Sequence, residues 1–175
     1  MAKRARKGWG MADAGWFVVN VRDTAWERHD TFGAGCGFQT PGASFEQLGI
    51  NISVLQPGEP LCLYHRESNQ EDFLVLLGEC RLLVDGEERS LRAWDFFHCP
   101  PHVDHVFVGA GDGPCAILAV GARSAEEEIV YPVSELAARY GASVEVETPS
   151  PKEAYARYGQ SVEGRPDCWD SLPWA

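Results

Sequence analysis

Residues 73–86 read FLVLLGECRLLVDG, and this stretch decides the fold. Two short apolar runs, Phe73–Leu77 and Cys80–Val84, are separated by only two residues, and Asp85-Gly86 follows the second run. Short apolar runs bounded by turn residues are typical of β-strands, and Asp-Gly beside such a run is a strong signal for a hairpin. We therefore predict closely spaced antiparallel strands in this part of the chain.

The same rhythm extends over residues 45–120. Short apolar runs recur there, each closed by turn residues and with no helical pattern between them. Strands at this spacing predict an antiparallel barrel or sandwich. The other predicted strands are Ile50–Leu55, Leu61–His65, Phe96–Cys99, His105–Val108 and Cys115–Val120.

The flanks of this region have a different character. Residues 1–15 are predicted to be a basic, disordered tail, and residues 16–44 an N-terminal extension. The extension contains one predicted strand, Trp16–Val21, and an irregular glycine-rich stretch at 32–38. Residues 45–123 are predicted to form the barrel. Residues 124–175 are predicted to contain two short helices, capped by Ser134 and Ser150, and a tryptophan-rich tail.

Charge and cysteine content exclude several classes of protein. The 175 residues carry 15 Lys and Arg against 26 Asp and Glu, and four of the cations lie in the first seven residues. The acidic remainder is a poor surface for nucleic acid or anionic membrane. No apolar window is long enough to span a membrane, and no secretory signal is recognisable. Six cysteines without a Cys-x-x-Cys pair predict a reduced, cytoplasmic protein.

Three side chains are candidates for a metal site. If Leu61 and Leu63 face the core, strand alternation turns His65 inward as well. Glu71 shares a face with the apolar residues of its predicted strand, and His105 does the same on a later strand. Two imidazoles and one carboxylate inside a barrel form a metal site with open positions. The alternative interpretation is that these histidines are ordinary core residues.

The stretch from Gly58 to Val120 resembles the cupin superfamily, and in particular its small single-domain, conserved-barrel members. The first cupin motif has a Gly, a His-x-His pair, a Glu three or four residues later, and a Gly after six more. Gly58 is placed as expected, and Glu71 with Gly78 fits the second half of that motif.

The second cupin motif reads Gly-x5-Pro-x-Gly-x2-His. Pro100 matches its Pro, and His105 falls on the metal-binding His. The sequence departs from the motif at Trp94, which stands where Gly is usual, and at His102, which replaces the second Gly.

The resemblance implies a fold, a cofactor and a range of functions. The fold is an all-β double-stranded β-helix, or jelly-roll barrel, with the N-terminal extension and short C-terminal helices added. The cofactor is a divalent transition metal (Fe, Zn, Mn or Ni) held by His65, Glu71 and His105. The implied function is to hold a small polar molecule in the barrel, as a metal-dependent dioxygenase or isomerase. The alternatives are a non-catalytic binding or sensing module, and a structural barrel that has lost its metal.

The first motif leaves one ambiguity open. Counting back four residues from Glu71 without a gap puts the His-x-His pair at Tyr64 and Arg66, with His65 between them. Either a bulge or register shift turns His65 inward, or Tyr64 and Arg66 face the cavity and Arg66 pairs with a bound acid. Two further residues are secondary candidates for lining the cavity: Cys99 and His102.

Apolar residues in both flanks suggest an oligomer. They lie in the Trp16–Val21 run and at Tyr155, Tyr158, Trp169 and Trp174. These segments either cross onto a neighbouring chain or fold back onto their own barrel. We expect a homodimer, because strand edges must be covered and two-fold symmetry is the commonest solution. Cupins are also often dimers.

Overall fold

The computed structural model describes residues 16–39 and 45–175. The predicted tail at 1–15 lies outside this range. Nearly all regular structure is β, as predicted, and only two single-turn α-helices are present among the described residues: α1 (Glu135–Ala138) and α2 (Pro151–Ala154). The strands in chain order are β1 (Trp26–His29), β2 (Gly33–Gly37), β3 (Leu48–Leu55), β4 (Arg66–Glu67), β5 (Glu71–Leu77), β6 (Glu79–Val84), β7 (Glu87–Arg92), β8 (Phe96–Cys99), β9 (His105–Ala110), β10 (Cys115–Ala122), β11 (Ile129–Val130) and β12 (Val162–Glu163).

The strands form two main sheets that face each other in a jelly-roll barrel. The larger sheet has the order β12-β1-β2-β3-β10-β5-β8, the second has β7-β6-β9, and β4 pairs separately with β11. Every pairing is antiparallel. Alternate side chains of both sheets point inward and pack together, among them Leu55, Phe73, Val75, Leu82, Phe107 and Ile117.

Two glycines shape the hairpin region predicted from residues 73–86. Val84 pairs with Glu87 across a two-residue loop, and both loop residues have positive φ (45° for Asp85 and 79° for Gly86). A type I′ turn requires this conformation. Gly78, between β5 and β6, also has positive φ, and a Cβ there would collide with the carbonyl oxygen of Pro114. The strand β7 was not among the predicted apolar runs, because its sequence is mostly polar.

Two predictions for the N-terminal extension are wrong. Residues 16–20 form no strand, and a 3-10 helix at Val21–Asp23 follows, in which the Asn20 side chain accepts a hydrogen bond from the Arg22 N–H. The glycine-rich stretch, expected to be irregular, contains β2. Neighbours on both sides hydrogen-bond its backbone, so sheet context overrides the low strand propensity of glycine.

The predicted strand Leu61–His65 is also wrong. The segment is irregular and makes only isolated bridges at Pro60 and His65. Leu61, Leu63 and Tyr64 pack into three different apolar clusters. Strand alternation therefore does not apply here, and the premise used to orient His65 fails.

The C-terminal segments pack against their own barrel. Ser134 and Ser150 cap α1 and α2, as predicted. Trp26 of β1 is buried between Trp169, edge-on with ring centroids 5.5 Å apart, and Trp174, stacked at 6.1 Å. Tyr155 and Tyr158 pack near Leu63. These aromatic residues therefore fold back onto their own barrel, which is one of the two arrangements considered from the sequence. None of the helices in the described part of the chain is long and apolar enough to cross a membrane.

Candidate metal centre

His65, Glu71 and His105 meet at one point inside the barrel. Nε2 of His105 lies 3.3 Å from Oε2 of Glu71, and Nε2 of His65 lies 4.0 Å from the same oxygen. One potential ligand atom from each residue lies within 4.8 Å of the other two. Glu71 opens β5 and His105 opens β9. His65 reaches the site because its backbone N–H and C=O pair with the C=O and N–H of His105.

Both imidazoles are held in the orientation that a metal ligand needs. Nδ1 of His65 donates to the carbonyl oxygen of Leu63 at 2.8 Å, and Nδ1 of His105 donates to that of Val103 at 3.1 Å. In each neutral ring the proton is therefore on Nδ1, and the lone pair of Nε2 is directed toward Glu71. Backbone carbonyls in this position are a common means of fixing a ligating histidine.

A thiol lies beside the Nδ1 atom of each histidine. Sγ of Cys62 is 3.6 Å from Nδ1 of His65, and Sγ of Cys99 is 3.4 Å from Nδ1 of His105. Cys99 was a secondary cavity candidate, and the structure places it next to His105 on the side away from Glu71. Cys62 was not singled out from the sequence.

The unpartnered carboxylate oxygen is the feature that fits a cation. Oε2 of Glu71 is buried and makes no hydrogen bond within the described residues, although Nε2 of His105 lies 3.3 Å away. Leaving a buried charged oxygen without a partner is costly. Two imidazole nitrogens and one carboxylate oxygen are donors suited to Fe, Zn, Mn or Ni, and the donor set therefore fits the group that the resemblance implies.

The electrostatics of the three side chains are coupled. Burial, followed by the neighbouring His105 charge, lowers the pKa of His65 to about 4. Burial also opposes a charge on His105, but its contacts with Cys99 and Glu71 outweigh burial and raise the pKa of His105 to about 10. Burial alone would raise the pKa of Glu71, and the adjacent His105 outweighs it, so that this pKa is lowered.

Glu67 is a site residue that sequence reasoning missed. It lies on β4, its side chain is only 17% exposed, and its Oε1 is 3.7 Å from Nε2 of His65. Burial, followed by the negative charges of Glu71 and Glu127, raises the pKa of Glu67 to about 7. The signal was present in the first motif: a spacing of three residues before Glu71, instead of four, puts His65 and Glu67 at the two positions of the His-x-His pair.

The remaining candidates lie away from the three residues. Tyr64 is buried in a separate cluster, where its hydroxyl accepts a hydrogen bond from the Gly86 N–H at 3.2 Å. The Arg66 guanidinium pairs with Asp104 at 3.0 Å. His102 is exposed in a loop with φ of 68°, and its backbone N–H donates to the Glu67 carbonyl. The structure therefore places His65, and not Tyr64 or Arg66, beside Glu71.

Comparison with known families agrees with the β-barrel fold. Residues 51–121 match the family model described as "Cupin domain". The barrel is a cupin domain. The matched segment begins within β3, ends within β10 and includes His65, Glu71 and His105. No curated protein matches the chain.

Solved structures share the cupin fold at low sequence identity. A sugar phosphate isomerase of the cupin superfamily from Silicibacter pomeroyi is 23% identical, with a TM-score of 0.56, over 64% of this chain and 79% of that one. The polyketide cyclase RemF from Streptomyces resistomycificus is 16% identical, with a TM-score of 0.54, over 61% and 79%. A cupin 2 conserved barrel domain protein from Salinispora arenicola is 21% identical, with a TM-score of 0.52, over 63% and 90%.

Proposed function

We propose that the cupin domain binds one divalent transition metal through His65, Glu71 and His105. The observation that carries this proposal is the buried, unpartnered Oε2 of Glu71 between two imidazole nitrogens. Three protein ligands leave coordination positions open, and a metal held in this way supplies Lewis-acid or, for iron, redox chemistry. The choice among Fe, Zn, Mn and Ni is left to experiment.

We infer further that the protein is an enzyme of the isomerase type, acting on a small polar molecule held in the barrel. Proton transfer needs an acid or base beyond the metal ligands, and Glu67 occupies that position next to His65. Its side chain is 17% exposed, and its Oε1 lies 3.7 Å from Nε2 of His65, the nitrogen proposed to bind the metal. The structurally similar protein from Silicibacter pomeroyi is also named as an isomerase, a sugar phosphate isomerase.

Hydrogen exchange into substrate tests the isomerase proposal. Protein loaded with each metal in turn is incubated in D2O with a panel of sugars, hydroxy acids and phenols, and the loss of C–H signals is followed by proton NMR. We expect exchange with one class of compound. Glu71→Gln should lose the metal and, with it, the exchange activity. Glu67→Gln should keep the metal and slow exchange by about 100-fold or more.

Two results contradict the isomerase proposal. Consumption of dioxygen by the iron-loaded protein with a compound from the panel, without exchange, would make it a dioxygenase. Retention of a compound with neither exchange nor oxygen consumption would make it a binding or sensing module.

We also propose that the protein works in the cytoplasm. All six of its cysteines are free, four of them buried, which agrees with a compartment that keeps thiols reduced.

A further inference from the structure

Three glycines lie on one face of β2, and only one of them is required by the backbone. Gly33 has a φ of 67°, which favours glycine. At Gly35, an added Cβ would lie 3.5 Å from the Ile52 carbonyl oxygen and 3.7 Å from Oγ of Ser53, which is ordinary contact. At Gly37, the nearest atom, at 3.2 Å, is the end of the Asn51 side chain. Backbone conformation and packing thus leave Gly35 unexplained.

Glycine inside a strand has a cost. It destabilises a strand by about 0.5–1 kcal/mol relative to alanine, and it often marks a place where a ligand approaches the backbone closely. Gly35 lies directly between Glu27 of β1 and Ser53 of β3 in the sheet. Residues directly opposite each other across strands share a face, so these three positions form one row.

A cavity of about 710 Å³ lies over this face of the sheet. That volume is within the range of small-molecule sites, about 300–1,000 Å³. The row Glu27, Gly35 and Ser53 lines it, and Phe32 and Tyr155 supply aromatic surface on its wall. The bare backbone at Gly35 therefore widens a cavity of ligand size.

The polar groups of the cavity indicate what it would bind. Four neutral side chains line it and make no hydrogen bond to any described residue: the half-buried Ser53 and the exposed Asn51, Gln160 and Ser161. Glu27 is the one carboxylate, and none of the described lining residues is Lys or Arg. His29 also lines the cavity, but its Nδ1 accepts a hydrogen bond from the Thr31 N–H, so that the ring proton is on Nε2 and is donated to the Gly159 carbonyl. An anionic ligand would therefore meet the charge of Glu27 without a compensating cation. A hydroxyl-rich ring would find unpaired hydrogen-bonding groups and an aromatic surface for its C–H face.

We propose that this cavity, floored by the glycine face of β2, binds an uncharged, hydroxyl-rich ring compound such as an unphosphorylated sugar. The cavity is separate from the metal centre, because neither the three proposed ligands nor Glu67 lines it. The two adjoin at Cys62, which lines the cavity and whose Sγ is 3.6 Å from Nδ1 of His65, on the side of that ring away from Glu71. The inference goes beyond the proposed function, because it assigns a second binding site next to the metal centre. The binding itself does not require a metal.

Binding of neutral and phosphorylated sugars tests the proposal. Glucose, mannose, xylose and fructose, together with glucose 6-phosphate and mannose 6-phosphate, are titrated calorimetrically into metal-free and metal-loaded protein. We expect at least one free sugar to bind both forms, and its phosphate to bind about tenfold more weakly or not at all.

Gly35→Val places a side chain on the cavity floor and suits a β-strand. It should weaken sugar binding by about tenfold or more while the melting temperature stays the same or rises. Gly113→Val, in a turn with no atom within 4 Å of the added Cβ, is the matched control and should bind like the wild type. If Gly35→Val does not fold, Ser53→Ala serves instead and should weaken binding by removing a hydrogen-bonding group.

Three results would overturn the proposal: no sugar in the panel binds, a phosphorylated form binds more tightly than its free sugar, or Gly35→Val binds as the wild type does. Metal content is measured on the same samples. If a variant loses sugar binding but keeps its metal, the result bears only on the cavity. If the protein binds sugar but contains no metal, the result contradicts only the proposed metal centre.

Discussion

Replacing Tyr155 by phenylalanine removes one oxygen atom and leaves a buried backbone group without its partner. The hydroxyl of Tyr155 accepts a hydrogen bond at 3.1 Å from the N–H of Leu63, a residue that is 0% exposed. The carbonyl of the same residue holds Nδ1 of His65. A buried donor left unsatisfied costs about 1–3 kcal/mol. For a chain of this length, about 2 kcal/mol corresponds to a fall in melting temperature of about 4–8 °C.

The matched control is Tyr158→Phe. The Tyr158 hydroxyl donates to the Gly141 carbonyl at 3.3 Å and accepts from the Arg157 guanidinium at 2.9 Å. Both contacts are on the exposed surface, where water can replace the hydroxyl. Loss of the Tyr158 hydroxyl should change the free energy of unfolding by less than about 0.5 kcal/mol. Urea and thermal unfolding, followed by circular dichroism, measure both variants. If Tyr155→Phe is as stable as Tyr158→Phe, the irregular segment that carries His65 is not held by this hydrogen bond, and the reasoning is refuted.

Three further predictions concern packing and assembly. Gly78→Ala should lower the free energy of unfolding, measured in urea, by about 1–3 kcal/mol more than Gly86→Ala does. Both glycines have positive φ, but only Gly78 faces the Pro114 carbonyl. Equal losses in the two variants would contradict this. Trp169→Ala should cost about 2 kcal/mol by exposing Trp26, and an unchanged unfolding midpoint would show that the tail does not stabilise the barrel. Sedimentation equilibrium should give twice the chain mass of 19.3 kDa, because Phe96 of the edge strand β8 and Trp94, two residues before that strand, are exposed. Phe96→Glu should weaken the dimer, and a wild-type monomer at all concentrations would remove this proposal.

The barrel strands that could be predicted from the sequence are those that bury several apolar side chains in the core. β3, β5, β6, β9 and β10 each bury several apolar residues, so that their sequences show short apolar runs. β2 and β7 carry glycine or polar residues, and they are strands because their neighbours hydrogen-bond them. Such strands depend on contacts distant in sequence, which a single sequence does not display.

The candidate site was only partly predictable for a similar reason. Glu71 and His105 belong to regular strands, so alternation along the strand gives their direction. His65 lies in an irregular segment, and it points inward because its backbone pairs with that of His105, not because of alternation. Glu67 sits on a two-residue strand, too short for any periodic signal. Only the alternative spacing in the first motif pointed to it.

The metal content per chain tests the proposed metal centre most directly. The wild type, His105→Ala and Glu71→Gln are expressed with metal supplementation, purified without chelator and analysed by inductively coupled plasma mass spectrometry. His98→Ala is the matched control, because His98 is exposed and paired with Asp72 outside the cluster. We predict close to one transition metal per chain in the wild type and in His98→Ala, and little or none in His105→Ala and Glu71→Gln. A wild type that remains empty, or a His105→Ala variant that holds as much metal as the wild type, would contradict the proposed metal centre.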